Sequence, residues 1–479
     1  MKRIFLCMLA LLAFATGAWA VESLVQIKGL SHDQIVDMAN AGYDIPAHGP
    51  DFIEVVVDTQ QLKTLKQEGV EHKVVVSDLG AMVRRRLSAQ KEAAQPYYTY
   101  ATMVETMKKW VAAYPTICRM ESIGKSYENR DIWALKISDN PEKNEKEPAA
   151  LIMGAHHSRE WISVEVPMAT AKAMLEGFGT DERLTRLVNE RETWFVPMVN
   201  PDGVTFSQTS QQFWRKNRRK NANGTYGVDP NRNYGYKWGA VGSSNSPSAD
   251  TYHGTGPFSE PETCAIRDFA TREQFSADIS FHSYSELILY PFSWGYPDEA
   301  PNPHQELFAT FAQEMAAFNR YRPQVSSDLY PSMGDTDDFM YGELKSLSFT
   351  FELARQFIPP QAEIPKINAV NVPAVLHLIE KAGTYGLVSP TGEEQITELS
   401  ATDLIAAIKD LTPLAKADDI AARLQKVQNQ LVLRVLNERR HGESTILTQI
   451  EKEAANHPAF SGILRLYGQG VRFDQLHHD

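Results

Sequence analysis

Short extended patterns at 24–27, 52–57 and 72–76 alternate with helical periodicity at 32–41 and 59–68, which predicts a small α+β unit over 21–95 that ends in a polar linker. From 98 to about 387 the pattern changes. Mostly apolar runs at 132–137, 151–154, 194–199, 277–281, 287–290 and 347–351 predict buried strands, and amphipathic stretches at 164–175, 261–273, 305–318 and 368–382 predict the helices between them. That alternation is α/β, and polar residues of special type gather where the strands end, the place where open α/β sheets carry their sites. Beyond Ser389-Pro390-Thr391-Gly392 the chain becomes rich in Ala, Leu, Glu and Lys, with helical periodicity at 402–411, 419–439 and 445–455. A separate helical region of unknown role is expected over 388–479.

The first residues belong to none of these elements. Lys2 and Arg3, an apolar run over 4–14 and Ala18-Trp19-Ala20 give the positive start, short apolar middle and small-x-small end of a secretory signal peptide, 1–20. The run is shorter than the roughly 20 apolar residues of a spanning helix, so no membrane anchor is expected after cleavage. The expected location is secreted, periplasmic or extracellular. A chain of 479 residues, 43% hydrophobic and 23% charged, has the make-up of a globular protein of about three domains. Its 48 Lys and Arg against 60 Asp and Glu leave a charge of -12, which excludes general affinity for nucleic acid or anionic membranes. Export leaves Cys118 and Cys264 in an oxidising compartment, either as a disulfide or as two free thiols. Arg84-Arg85-Arg86, read as part of the polar connector, is either a target for a trypsin-like protease that releases a prosegment or solvated charge in an ordinary linker.

The candidate chemistry lies in the α/β region. His157 and Glu160 follow the strand at 151–154, and their spacing lets an imidazole and a carboxylate turn toward one point. His282 follows the strand at 277–281. Two neutral imidazoles and a carboxylate suit Zn²⁺, which in catalytic sites takes three protein ligands and keeps a position open. Glu352 ends the strand at 347–351, and a carboxylate there is costly unless paired or functional. A metal site with a free acid beside it is the arrangement of a hydrolase that activates water. His156 is a second imidazole beside His157, and only the His-x-x-Glu spacing selects His157 as the ligand.

Seven strings then fall in one order: His157-Ser158-Arg159-Glu160-Trp161-Ile162, Asn200-Pro201-Asp202-Gly203, Phe213-Trp214-Arg215-Lys216, Gly227-Val228-Asp229-Pro230-Asn231-Arg232-Asn233, Tyr252-His253-Gly254, Phe281-His282-Ser283-Tyr284-Ser285 and Phe349-Thr350-Phe351-Glu352-Leu353. Together they resemble the zinc carboxypeptidases of the carboxypeptidase A/B type. The resemblance implies a catalytic domain over 96–387, with a mixed central β-sheet flanked by helices. It also implies one Zn²⁺ held by His157, Glu160 and His282. Glu352 would be the base that deprotonates the attacking water, and Arg215 would steady the oxyanion. Asn231 and Arg232 would bind the free terminal carboxylate of a peptide, Tyr330 would close over it, and Asp229 would orient the ring of His157. Arg159 and Tyr284 would line more distant subsites.

Asp337 falls where basic-specific members of the family have an acid, which implies a preference for C-terminal Lys or Arg, although Asp335 beside it departs from the vertebrate pattern. The N-terminal unit sits where the family carries an inhibitory prosegment, so the resemblance favours a zymogen cut by an activating protease. The expected substrates are peptide or protein C-termini. Two alternatives stand beside this reading. The first is an enzyme for peptidoglycan peptides, disfavoured because Asn231, Arg232 and Tyr330 suit an ordinary α-carboxylate. The second is an inactive peptide-binding module, disfavoured by the complete set of ligand candidates with Glu352 and Arg215.

Overall fold

Strands β1 (Ser23–Lys28), β2 (Asp44–His48), β3 (Phe52–Val57) and β4 (His72–Val76) form an antiparallel sheet in the order β2-β3-β1-β4. Two helices, His32–Asn40 and Thr59–Gln67, cross it, each opened by a reciprocal capping box, Ser31 with Gln34 and Asp58 with Gln61. Val25, Ile27, Ile35, Ile45, Ile53, Val55 and Leu65 close its small core. The structure, a computed structural model, describes residues 21–49, 51–89, 96–145 and 147–384; the expected signal peptide and C-terminal helical region lie outside the described residues.

One expectation about this unit is corrected. The three arginines do not lie in an extended connector but in a helix, Leu79–Ala89. Leu79 and Val83 are buried four residues apart, Asp78 accepts the amide of Ala81 at 2.7 Å as a cap, and arginine is itself a good helix former. Arg86 donates to the carbonyl of Ile358 at 2.7 Å, so this helix is fastened to the larger unit.

The larger sheet has eight strands: β5 (Cys118–Lys125), β6 (Asp131–Ile137), β7 (Ala149–Gly154), β8 (Glu192–Val196), β9 (Ala277–His282), β10 (Leu287–Tyr290), β11 (Arg322–Val325) and β12 (Leu347–Glu352). Their order is β11-β10-β12-β9-β7-β8-β6-β5. The central block β12-β9-β7-β8 is parallel, and β10–β12, β6–β8 and β5–β6 are antiparallel, so the sheet is mixed. Successive residues of β7 serve opposite faces. Ala150 and Ile152 pack into a core that includes the helices Ile162–Gly177, Gln305–Asn319 and Ile364–Lys381, whereas Leu151 and Met153 pack with the helix Pro261–Glu273 and with Phe339 and Met340. Helices therefore flank both faces, as expected. Cys118 in β5 and Cys264 in Pro261–Glu273 are free thiols. No helix among the described residues is long and apolar enough to cross a membrane.

Candidate metal centre and substrate cavity

Strands β7, β9 and β12 are parallel neighbours, and each delivers a candidate residue at its carboxyl end. After β7 the chain turns sharply. A Cβ on Gly154 would lie 2.2 Å from the carbonyl oxygen of Ser163, so only glycine allows the following helix so close, and Ala155 completes the turn at φ 55°. The turn brings His157 and Glu160 over the sheet. β9 runs directly into His282, and β12 ends in Glu352, which stands opposite His282 in the strand register.

Three donors converge there. His157 Nδ1 lies 2.9 Å from Glu160 Oε1, His282 Nδ1 lies 3.0 Å from Glu160 Oε2, and the two Nδ1 atoms are 3.1 Å apart. The outer nitrogens are engaged elsewhere, His157 Nε2 with Asp229 Oδ1 at 3.1 Å and His282 Nε2 with Ser280 Oγ at 3.0 Å. With those outer nitrogens protonated, both Nδ1 lone pairs point at the same spot, which is what a cation requires. The ligand atoms of His157, Glu160 and His282 lie within 4.8 Å of one another, and two imidazoles with one carboxylate are a zinc donor set, so these residues fit the metal. Burial opposes the Glu160 carboxylate, yet the two histidine rings outweigh it and hold its pKa below the usual range; the site favours positive charge. Burial first, and then the charge of Glu160, pushes the Glu352 carboxyl well above its ordinary range. A bound cation would pull it the other way.

Asp229 stands behind His157 and in front of Arg215. Its Oδ2 accepts from Arg215 Nε at 3.0 Å and Nη2 at 2.8 Å, while Oδ1 faces His157 and caps the amide of Asn231 at 2.9 Å. Burial works against this carboxylate too, but Arg215 and His157 overcome it and keep its pKa well below the carboxylate range. Arg232 is fixed by three acceptors: Gly242 O at 3.0 Å, Asn231 O at 2.6 Å and the Tyr330 hydroxyl at 2.8 Å. Asn231 Oδ1 accepts from the amide of Thr336 at 2.9 Å and from its hydroxyl at 2.6 Å, which leaves the NH₂ end of the side chain free to donate.

Deeper in the cavity, Asp337 accepts from the Ser326 hydroxyl at 2.8 Å and the Asp338 amide at 3.0 Å, with Asp335 beside it. Burial, reinforced by the charge of Asp335, raises the Asp337 carboxyl well above its ordinary pKa.

One cavity is lined by His157, Glu160, Arg215, Asn231, Arg232, His282, Tyr330, Asp335, Asp337 and Glu352. Asp229 supports it from behind. Arg159 and Tyr284, for which the resemblance implies distant subsites, are bound here to carboxylates of the N-terminal unit. Arg159 pairs with Asp44 and lies 4.1 Å over the Phe357 ring, and the Tyr284 hydroxyl donates to Glu54. Asp44 also faces Arg215 at 3.4 Å, and with Ile45 and Pro46 it forms one wall of the cavity. Tyr330 packs against the core of the N-terminal unit.

Asp44 is the residue that sequence reasoning missed. Its segment, Asp44-Ile45-Pro46-Ala47-His48, carries no periodicity, and its importance depends on which guanidinium groups it meets, 115 residues away in the case of Arg159.

A family model described as zinc carboxypeptidase matches residues 103–374. The chain is 34% identical over 364 residues to a zinc carboxypeptidase of Saccharothrix mutabilis subsp. capreolus, covering 71% of this chain and 83% of that one. It is 30% identical over 365 residues to carboxypeptidase B of Rattus norvegicus, covering 72% and 82%. The crystal structure of carboxypeptidase A from Helicoverpa armigera shares the fold with a TM-score of 0.68 at 22% identity, over 76% of this chain and 97% of that one.

Proposed function

The chain belongs to the zinc carboxypeptidase family, and we propose that it is a secreted enzyme that removes single C-terminal residues, Lys and Arg before others, and is made latent by its N-terminal unit. It is a metallocarboxypeptidase, so its substrates are peptide C-termini. The observation that carries the finer reading is the placement of a His-Glu-His donor set, a separate carboxyl at Glu352 and a guanidinium at Arg232 around one cavity.

His157, Glu160 and His282 would hold one Zn²⁺. When bound, the ion supplies Lewis acidity, lowering the pKa of water and polarising a carbonyl. Glu352 takes the proton of the attacking water as its oxygen bonds to the scissile carbonyl carbon, and it returns that proton to the leaving amine as the C–N bond breaks. Arg215, held in place by Asp229, faces the carbonyl oxygen as negative charge grows there, and a fixed donor needs no reorganisation at that moment. Arg232, the Asn231 amide and the Tyr330 hydroxyl receive the terminal carboxylate, which confines cleavage to the end of a chain. Asp337 at the pocket floor pairs with a basic side chain and penalises an apolar one, which would leave the acid desolvated. Residues 1–20 act as the export signal, 21–95 as prosegment and linker and 96–387 as catalytic domain. A trypsin-like protease acts after the arginines of the helix Leu79–Ala89, whose last turn must unwind to enter its cleft.

Peptides ending in Arg, Lys, Phe or Leu, incubated with the trypsin-treated protein and followed by mass loss, test this reading. Arg and Lys should leave at least about 10²-fold faster than Phe or Leu, a gap that Asp337→Leu should close. Equal rates in the parent protein would sink the basic preference. Arg232→Ala should lower kcat/KM by about 10²-fold or more on free-acid peptides and change little on the slow cleavage of amidated ones. A uniform loss on both would remove the carboxylate clamp.

A further inference from the structure

Resting on His282 as a metal ligand and Asn231 as part of the carboxylate clamp, we infer that His156 is a positioning residue whose two ring nitrogens tie the metal centre to the clamp. His156 is fully buried and takes no place among the converging donors; it stacks behind His282, with ring centroids 5.5 Å apart and planes 15° from parallel. Its Nδ1 lies 3.1 Å from Ser280 Oγ, and its Nε2 lies 2.8 Å from the Tyr234 hydroxyl and 3.2 Å from Thr336 Oγ1.

The protons in this chain can be assigned from its two ends. The backbone amide of Thr336 can only donate, so the atom of Asn231 that it meets is the oxygen. The Thr336 hydroxyl, 2.6 Å from the same oxygen, donates there in its shortest contact and so faces His156 Nε2 as an acceptor. His156 Nε2 has a second neighbour, the Tyr234 hydroxyl at 2.8 Å, which can donate or accept; with His282 held as a ligand through Nδ1, the proton pattern that satisfies both ends puts the His156 ring proton on Nε2 and leaves Nδ1 bare. Bare Nδ1 takes the proton of Ser280, which leaves Ser280 Oγ only an acceptor toward His282 Nε2. His282 is then protonated on Nε2, with its Nδ1 lone pair presented to the site of His157 and Glu160. At the other end, with Asn231 Oδ1 doubly occupied, the side chain turns its NH₂ toward the cavity. One tautomer of His156 serves both ends: it leaves His282 Nδ1 facing the metal site, and it directs the Thr336 hydroxyl to Asn231, whose oxygen the Thr336 amide also holds.

The two arms can be cut separately. Asn at this position keeps a polar atom near the place of Nδ1, facing Ser280; Gln reaches the place of Nε2, facing Thr336; Phe keeps the ring and removes both. Zinc affinity is read on the full chain by competition with a chromophoric chelator, and the clamp is read as the KM ratio between amidated and free-acid peptides, before and after trypsin. His156→Phe should weaken zinc binding by about 10–100-fold, the range typical of partners that orient a metal-bound histidine, and should lower the KM ratio by about 10-fold. His156→Asn should recover the zinc affinity alone, and His156→Gln the KM ratio alone. If Asn and Gln lose both readouts to the same extent, or a folded Phe variant loses neither, His156 only fills space and the linkage is wrong. A crossed recovery supports it even if the Phe variant does not fold. His282→Ala with undiminished zinc affinity would instead overturn the premise that His282 is a ligand, and that outcome is distinct from the others.

Discussion

Glu352→Gln is expected to lower kcat by at least about 10²–10⁴-fold, the usual contribution of a positioned general base, while zinc content stays at one ion per chain. Gln keeps the size of the side chain and can still accept a hydrogen bond, but its amide takes no proton from water. The metal should stay because Glu352 lies outside the three converging donors, opposite His282 in the strand register rather than among its partners. The measurement pairs elemental analysis of the variant with single-turnover kinetics on a free-acid peptide. Near-normal turnover would take the base away from Glu352. Lost turnover together with lost zinc would mean that the residue holds the metal.

The centre was legible because its residues stand at the ends of buried strands, where apolar runs announce the strand and the next polar residue stands out. β7, β9 and β12 are nearly all buried, and each delivers its residue at or just past its last position. The exposed margins were not legible. β11 is four residues long with Pro323 inside it, and β5 is mostly half-exposed, so neither shows the alternation of a strand buried on one face. The helix Thr336–Gly342 has only seven residues, too few for helical periodicity, and is announced mainly by Asp335 at its cap. His156 was visible as an extra imidazole, but its use depends on Ser280 and Thr336 from two distant segments. The arginine run misled for a different reason: a row of charges suggests a loop, yet Leu79 and Val83 had already set a helical stripe.

Asp44→Asn in the uncut chain is expected to raise its basal activity by about 10²–10³-fold, toward the level that trypsin releases. Asp44 pairs with Arg159 and faces Arg215 in a buried position, and parting a buried ion pair of this kind typically costs about 3–5 kcal/mol, with each tenfold equal to about 1.4. In the docked state the carboxylate occupies the guanidinium groups of Arg159 and Arg215, both proposed to meet substrate, and Tyr330 is packed against the same unit. Removing the charge weakens docking and leaves every side chain proposed for the metal, the base and the carboxylate clamp in place. Burial opposes the Asp44 carboxylate, but Arg159 and Arg215 outweigh it and depress its pKa. A carboxylate depressed on docking stabilises the docked state above its free pKa and loses that contribution as pH falls through the docked value. Latency of the parent chain should therefore hold at neutral pH and weaken only below the ordinary carboxylate range. Assays of the uncut parent and variant at pH 7, each with and without trypsin, separate the outcomes. If the variant remains as latent as the parent while trypsin activates both equally, Asp44 is not the latch. If the uncut parent is already fully active, the N-terminal unit does not hold the enzyme latent.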